Sequence, residues 1–273
     1  MKIGNKEFNT ESETYIMGIL NVTPDSFSDG GKWNTIEAAL FHTERMINEG
    51  ADIIDIGGES TRPGHEAISE QEEIERILPI IYSIKNAFDI PVSIDTYKSK
   101  VAKAALDEGA DLVNDIWGLK YDSRMANLIS EYKVPCCLMH NRTDEKYSDF
   151  MHDLIEDLSE SIMIAKNAGI ADERIILDPG IGFAKSYENN LEAINRLSEL
   201  KVLGYPILLG ASRKSFIAKA LNLPVDERVE GTIVSTVFAV LNNCSFIRVH
   251  DIKENKRAIV MTQALMNENI KEV

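Results

Sequence analysis

Short, unbroken apolar runs alternate with longer stretches of helical periodicity along most of this chain. Residues 15–20 make the first such run. After a polar loop rich in Gly, Pro and Ser, Ile36, Ala39, Leu40 and Ile47 fall on one face of a helix predicted over 35–49. The pattern repeats, with strands predicted at 51–56, 91–94, 111–113, 134–139, 175–177, 206–209 and 245–249. Helices are predicted between them, at 99–108, 123–132, 148–167, 187–200, after Ser212, and at 226–242 and 253–267. A further helix follows Ser69, which forms a capping-box pattern with Glu72 ahead of Ile74, Ile77, Leu78, Ile81 and Ile84. Strands without polar alternation are those of a parallel sheet covered on both faces.

The strand ends Asn21, Gly57, Asp95, Asp115, His140, Asp178, Gly210 and His250 lie 36, 38, 20, 25, 38, 32 and 40 residues apart. Each interval holds a loop, a helix and a return turn, so the count predicts an α/β fold, a (β/α)8 TIM barrel spanning 1–273 as a single domain. The first residues, 1–14, with Ile3 and Phe8 around Gly4-Asn5, predict a short N-terminal hairpin closing one end. A doubly wound open sheet is the alternative. It lacks support from a Gly-x-Gly-x-x-Gly after the first strand, since the chain has only Gly180-Ile181-Gly182 far downstream.

Composition narrows the function. With 44% apolar and 27% charged residues the chain is globular rather than disordered. A formal net charge of −15 excludes a broad nucleic-acid or anionic-membrane surface, while leaving room for a few local cations on a small anion. No apolar run reaches membrane-spanning length, and the expected location is the cytoplasm. Cys136, Cys137 and Cys244 fit neither a disulfide framework nor a zinc spacing, and are expected to be buried thiols.

In a barrel, the strand ends ring one mouth. That mouth would carry Asn21, Asp95, Asn114, Asp115, His140, Asp178, Lys214, Arg248 and His250, with Thr61 and Arg62 on the second loop. Any one of them alone reads by default as a helix cap or a solvated loop residue, Asp178 before Pro179-Gly180 included. Together they make a set of acceptors for a ligand rich in N–H donors and a set of cations for phosphate. The turn Ser212-Arg213-Lys214-Ser215 entering a helix would add backbone N–H groups for an anion. The histidines show no zinc spacing, no Ser sits in Gly-x-Ser-x-Gly, and a hard cation such as Mg²⁺ held by oxygens and substrate phosphate stays open.

The stretches MGILNVTPDSFSDGG at 17–31, GGESTRPG at 57–64, SIDTYKSKVA at 93–102, VNDIWG at 113–118, LDPGIGFAK at 177–185, SRKSFI at 212–217 and IRVHDI at 247–252 resemble the dihydropteroate synthase family, in its order and over almost the whole chain. The resemblance implies a TIM barrel that joins a dihydropterin diphosphate to p-aminobenzoate, with Mg²⁺ present, and releases diphosphate. It places the pterin on Asp178, Asn114 and Asp95, with Lys214 reaching the ring and Arg248 stacking over it. It assigns Asn21 to Mg²⁺, and Thr61, Arg62, Arg248 and His250 to the diphosphate. Phe183, Lys214 and Ser215 would bound the p-aminobenzoate site, closed by Pro63 and by Phe27 and Asp29 of the first loop. Lys214, Arg248, Asp95 and Asp29 are the catalytic candidates. A homodimer is implied as well, with the helix over 226–242 as a face, although core packing also explains its apolar residues. The nearest alternative is a corrinoid-type pterin-binding methyltransferase, which would share the acceptors but has no diphosphate to release; a catalytically silent pterin-binding barrel is the other.

Overall fold

A computed structural model describes residues 1–22, 32–59 and 67–267. Phe27, Asp29, Thr61, Arg62 and Pro63 lie outside the described residues. The N-terminal hairpin is present, with β1 (Lys2–Ile3) antiparallel to β2 (Lys6–Glu7) and Gly4 at φ 59° in the turn. Eight parallel strands follow: β3 (Tyr15–Asn21), β4 (Ile53–Gly57), β5 (Val92–Asp95), β6 (Leu112–Asp115), β7 (Cys136–Met139), β8 (Ile175–Asp178), β9 (Leu208–Leu209) and β10 (Phe246–Val249). Each pairs with its neighbour in chain order, and β10 returns to β3. The ring closes between β8 and β9 by the bridge Leu177–Ile207, where the Leu177 N–H donates to Pro206 O at 2.9 Å. The expected (β/α)8 barrel is therefore the observed architecture.

The intervening helices are α1 (Lys32–Glu49), α2 (Glu70–Ala87), α3 (Ser99–Asp107), α4 (Met125–Tyr132), α5 (Phe150–Asn167), α6 (Tyr187–Asn195), α7 (Ser215–Leu221), α8 (Val229–Leu241) and α9 (Ile252–Asn267). Two differ from expectation. The helix predicted to Leu200 stops at Asn195, because Arg196 leaves helical geometry and the chain tightens into 3₁₀ turns ended by Gly204 at φ 78°. The cap of α2 is only half a capping box. Ser69 Oγ accepts from the Glu72 N–H at 3.1 Å, but the Glu72 carboxylate turns to Arg76 instead of back to the cap.

The two-residue period of each strand sorts the interior. Outward residues such as Ile54, Ile56, Val113, Leu138, Leu177 and Ile247 join the helices in one large apolar cluster. Inward residues Met17, Ile53, Leu112, Cys137, Ile176, Leu208 and Phe246 form a second cluster, sealed from below by Ile3 and Phe8 of the hairpin region. One step of two residues further along those strands stand Ile19, Asp55, Asn114, Met139, Asp178, Gly210 and Arg248. The interior thus changes from apolar to polar along the barrel axis.

Replacing the α2 cap by Ser69→Ala should cost about 1 kcal/mol. It should appear as a lower urea midpoint with an unchanged slope, and an unchanged midpoint would refute the cap's contribution.

Candidate active site at the C-terminal mouth of the barrel

Arg248 organises the polar half of the interior. From β10 its guanidinium crosses to β4 and β5, with Nε 2.5 Å from Asp55 Oδ2 and Nη2 2.5 Å from Asp95 Oδ2. Asn114 Nδ2 donates to the same Asp55 oxygen at 3.2 Å. Among the described residues the other oxygen of each carboxylate, Asp55 Oδ1 and Asp95 Oδ1, is buried without a hydrogen bond. Burial would lower the Arg248 pKa, but Asp55 and Asp95 outweigh it and raise it. Burial also pushes Asp95 above the usual carboxylate range, against the pull of Arg248.

Asp178 ends β8 where the sequence placed it. Its Oδ1 accepts from the Gly180 N–H at 2.7 Å, and burial again raises its pKa while Gly180 N–H, Lys214 and Arg248 oppose. A Cβ on Gly210 would stand 3.4 Å from Asp178 Oδ2 and 3.9 Å from Arg248 Cβ, so the bare backbone there keeps the carboxylate approachable. Gly180 is required for a different reason. It sits at φ 68°, and a Cβ would lie 2.0 Å from the His140 carbonyl oxygen.

Lys214 reaches the mouth because Arg213 adopts a left-handed conformation at φ 56°. Arg213 is held there by an ion pair to Asp251, by its N–H to Thr232 Oγ1 at 3.1 Å, and by Arg228 on its carbonyl at 2.9 Å. Lys214 Nζ then donates to Ile181 O at 2.5 Å and stands 4.1 Å from the centre of the Phe183 ring. Burial lowers its pKa to about 8, with Asp178 pulling the other way. Ser215 opens α7 and is exposed, so it bounds the site only from the rim. His250 is oriented by Ser212 Oγ, which lies 2.9 Å from Nδ1 and accepts the His250 backbone N–H at 3.2 Å.

Asn21 ends β3 opposite Gly57. A Cβ on Gly57 would lie 3.7 Å from Asn21 Oδ1 and 3.8 Å from Asp95 Oδ2, so the amide and the carboxylate flank the same bare backbone. One neutral oxygen beside one carboxylate suits a hard cation that keeps several waters and takes other ligands from phosphate. The ends of the second loop are tied together by Lys98, whose ammonium bonds Glu59 before it, the Ile68 carbonyl after it at 2.8 Å and Glu73 of α2 at 2.7 Å.

Two rim candidates turn away. Asp115 spends both oxygens on the Trp117 and Leu119 N–H groups at 2.8 and 2.9 Å, so the turn-capping reading holds for it. His140 is buried between Asp157 and Lys185. Outside the mouth, a hollow of about 470 Å³ between α1 and α9 is lined by Phe41, Arg45, Lys253 and Arg257 and includes none of the strand-end residues.

The family model for pterin binding enzymes matches residues 17–250. The dihydropteroate synthase of Clostridium beijerinckii is 62% identical over 97% of this chain and 99% of its own length, and that of Bacillus subtilis 50% identical over 94% and 90%. The chain belongs to the dihydropteroate synthase family. Among solved structures of the family, the Clostridium difficile enzyme in the presence of pteroic acid superposes with a TM-score of 0.94 at 49% identity, covering 96% of this chain and all of the other. The Xanthomonas albilineans enzyme with 4-aminobenzoic acid superposes at 0.90 and 38% identity, over 94% of each chain.

Sequence reasoning missed Asp55. It looked at strand ends, and Asp55 lies inside β4, in the run Ile53-Ile54-Asp55-Ile56-Gly57. An acid in the middle of an apolar strand, two residues beyond an inward isoleucine, was the available signal. Asp55→Ala should leave the Arg248 guanidinium half-paired in a buried setting and cost about 3 kcal/mol. Chemical denaturation and turnover measure it; a variant with wild-type values of both would dismiss the bridge.

Proposed function

We propose that this transferase joins 6-hydroxymethyl-7,8-dihydropterin diphosphate to p-aminobenzoate, giving 7,8-dihydropteroate and diphosphate in folate biosynthesis, and that the whole chain serves as one pterin-binding domain. The observation that carries the reading is the convergence of Asp95, Asn114 and Asp178 with Arg248 and Lys214 on one rim, beside Phe183. The pterin offers two adjacent N–H donors at its guanidine-like edge, and the Asp178 carboxylate accepts them. Arg248 lies along the ring, fixed in plane by Asp55 and Asp95. Lys214 bridges the pterin and the aromatic amine.

The amine of p-aminobenzoate is neutral near pH 7, so attack needs no nucleophilic side chain and no strong base. The bond between the methylene carbon and the diphosphate oxygen breaks, the N–C bond forms, and the amine releases one proton. Catalysis is then positioning of the amine by Phe183, Lys214 and Ser215, and stabilisation of the departing anion by Arg248 and His250. Thr61 and Arg62 would add to that anion site, with Pro63, Phe27 and Asp29 closing over it. Mg²⁺, bound at Asn21 with Asp95 nearby, would neutralise charge on the diphosphate. The corrinoid-type alternative uses no anion site, which Arg248, His250 and the Ser212–Lys214 turn supply.

Two further properties belong to this reading. Exposed Val234, Phe238 and Leu241 on α8, next to exposed Val260, Met261 and Leu265 on α9, suit the joining of two copies as a homodimer. Cys136, Cys137 and Cys244 are free and buried, which suits the cytoplasm.

Purified protein supplied with the dihydropterin diphosphate, p-aminobenzoate and Mg²⁺ should form dihydropteroate, and no product would end the proposal. Chelation of Mg²⁺ should depress that turnover, whereas metal-independent turnover would remove Asn21 from its role. Lys214 carries its charge below about 8, so kcat/KM should fall as pH rises through that value. Lys214→Arg should move the alkaline limb upward; a limb unmoved by it would assign the titration elsewhere. Light scattering should give twice the chain mass, and a monomer would exclude the α8–α9 interface.

A further inference from the structure

Behind Phe183 runs a second buried line of polar groups that the mechanism above does not use. Lys185 is 6% exposed, and its Nζ lies 2.8 Å from His140 Nδ1 and 3.1 Å from the Phe183 carbonyl oxygen. His140 follows β7, is 2% exposed, and has Nε2 2.9 Å from Asp157 Oδ2 on α5. Arg142 Nε donates to that same Asp157 oxygen at 2.5 Å. Burial would raise the Asp157 pKa, yet His140 and Arg142 hold it well below the usual carboxylate range. An ionised carboxylate at Nε2 selects the tautomer with the proton on that nitrogen, and burial keeps the ring neutral by lowering its pKa to about 4. Nδ1 is then a bare acceptor. Lys185 donates to it, and the second donation falls on Phe183 O.

The turn that receives this contact has an unfavourable backbone. Gly180, Gly182 and Ala184 all have positive φ, at 68°, 82° and 43°. For alanine that conformation costs about 1 kcal/mol or more. It is held by a set of directed bonds. Gly182 N–H donates to Asn190 Oδ1 at 2.6 Å, Ile181 O accepts from Lys214 at 2.5 Å, Ala184 O accepts from Tyr147 Oη at 2.7 Å, and Lys185 O accepts from Asn190 at 3.2 Å. Lys185 holds the one carbonyl that belongs to Phe183 itself.

We infer that Lys185 is a positioning residue for the aromatic-amine subsite: oriented through His140 by Asp157, it fixes the Phe183 peptide and so sets where the Phe183 ring stands opposite Lys214. This rests on the proposed place of Phe183 in the p-aminobenzoate site. Asp157 lies on the outer helix layer, so a residue remote from the substrate governs the fit of one substrate and not of the other. The role falls on the amine subsite because Lys185 hydrogen-bonds the Phe183 carbonyl, whereas Asp178 takes its hydrogen bond from the Gly180 N–H and meets the charge of Lys185 only through space.

Steady-state kinetics on Lys185→Met, Asp157→Leu and Phe183→Ala test it. Lys185→Met should raise KM for p-aminobenzoate by about tenfold, while kcat and KM for the dihydropterin diphosphate stay within about twofold of wild type. Asp157→Leu should show the same split at smaller amplitude. An unchanged p-aminobenzoate KM in Lys185→Met, or parallel changes in both KM values and kcat, overturns the inference. Phe183→Ala separates the place of Phe183 in the subsite from the role of Lys185. If it leaves the p-aminobenzoate KM unchanged, the place of Phe183 in that subsite is wrong; if it raises that KM and Lys185→Met does not, only Lys185 is misassigned. The long-range ¹H–¹⁵N spectrum of the unaltered enzyme supplies a check independent of variant folding. His140 should be protonated at Nε2 and bare at Nδ1, and the opposite tautomer overturns the proposal.

Discussion

The guanidinium of Arg248, shared between two carboxylates from strands to which β10 is not hydrogen-bonded, is the contact on which the mouth depends. Strand pairing fixes only neighbours, and β10 pairs with β3 and β9. The cross-barrel contact to Asp55 and Asp95 therefore sets distances that the sheet alone leaves free. Ion pairs buried this deeply gain little net stability, since desolvation offsets most of the attraction. What the arrangement supplies is direction. It holds a planar cation in one orientation and leaves an acceptor oxygen on each carboxylate without a hydrogen bond among the described residues.

Those charges work because of what lies beneath them. The inward set from Met17 to Phe246, plugged by Ile3 and Phe8, is apolar, and Ser93 of β5, level with Leu112, is the polar side chain set among it. Charged groups placed one strand step above it are poorly solvated from below, which is why burial heads the causes of the shifts at Asp95, Asp178 and Lys214. A carboxylate held above its usual range and an ammonium held below are expensive for folding, and such concentrations of cost mark sites of chemistry. Here both kinds face the same opening, so each partly relieves the other.

Much of this was legible in the sequence for one reason: in a barrel, the residues at or next to the C-terminal end of each strand stand at the mouth. Asp95, Asn114, Asp178 and Arg248 could be placed without coordinates. Asp115 and His140 also stand at or just after strand ends, but the two-residue alternation puts them on the face opposite Asn114 and Met139, and the runs were too short to reveal the parity. Asp55 escaped because it lies within its strand. Lys185 escaped because its meaning depends on His140, 45 positions earlier, and Asp157, 28 positions earlier, which no local pattern connects. The end of α6 was likewise unreadable, since leucines at 197, 200 and 203 continue a helical stripe through a stretch that the backbone winds as 3₁₀ turns.

The closure between β8 and β9 has a consequence for how the ring behaves in time. Elsewhere neighbouring strands share registers of two to five residues, whereas this seam is a lone bridge beside a strand of only two residues. A cylinder fastened so unevenly has the fewest backbone bonds to break at its clasp, which makes that seam the place where local opening costs least. The clasp at Leu177 is one residue from Asp178, and β9 runs directly into Gly210, so the pocket's base and its bare floor tile ride on opposite lips of the same slit.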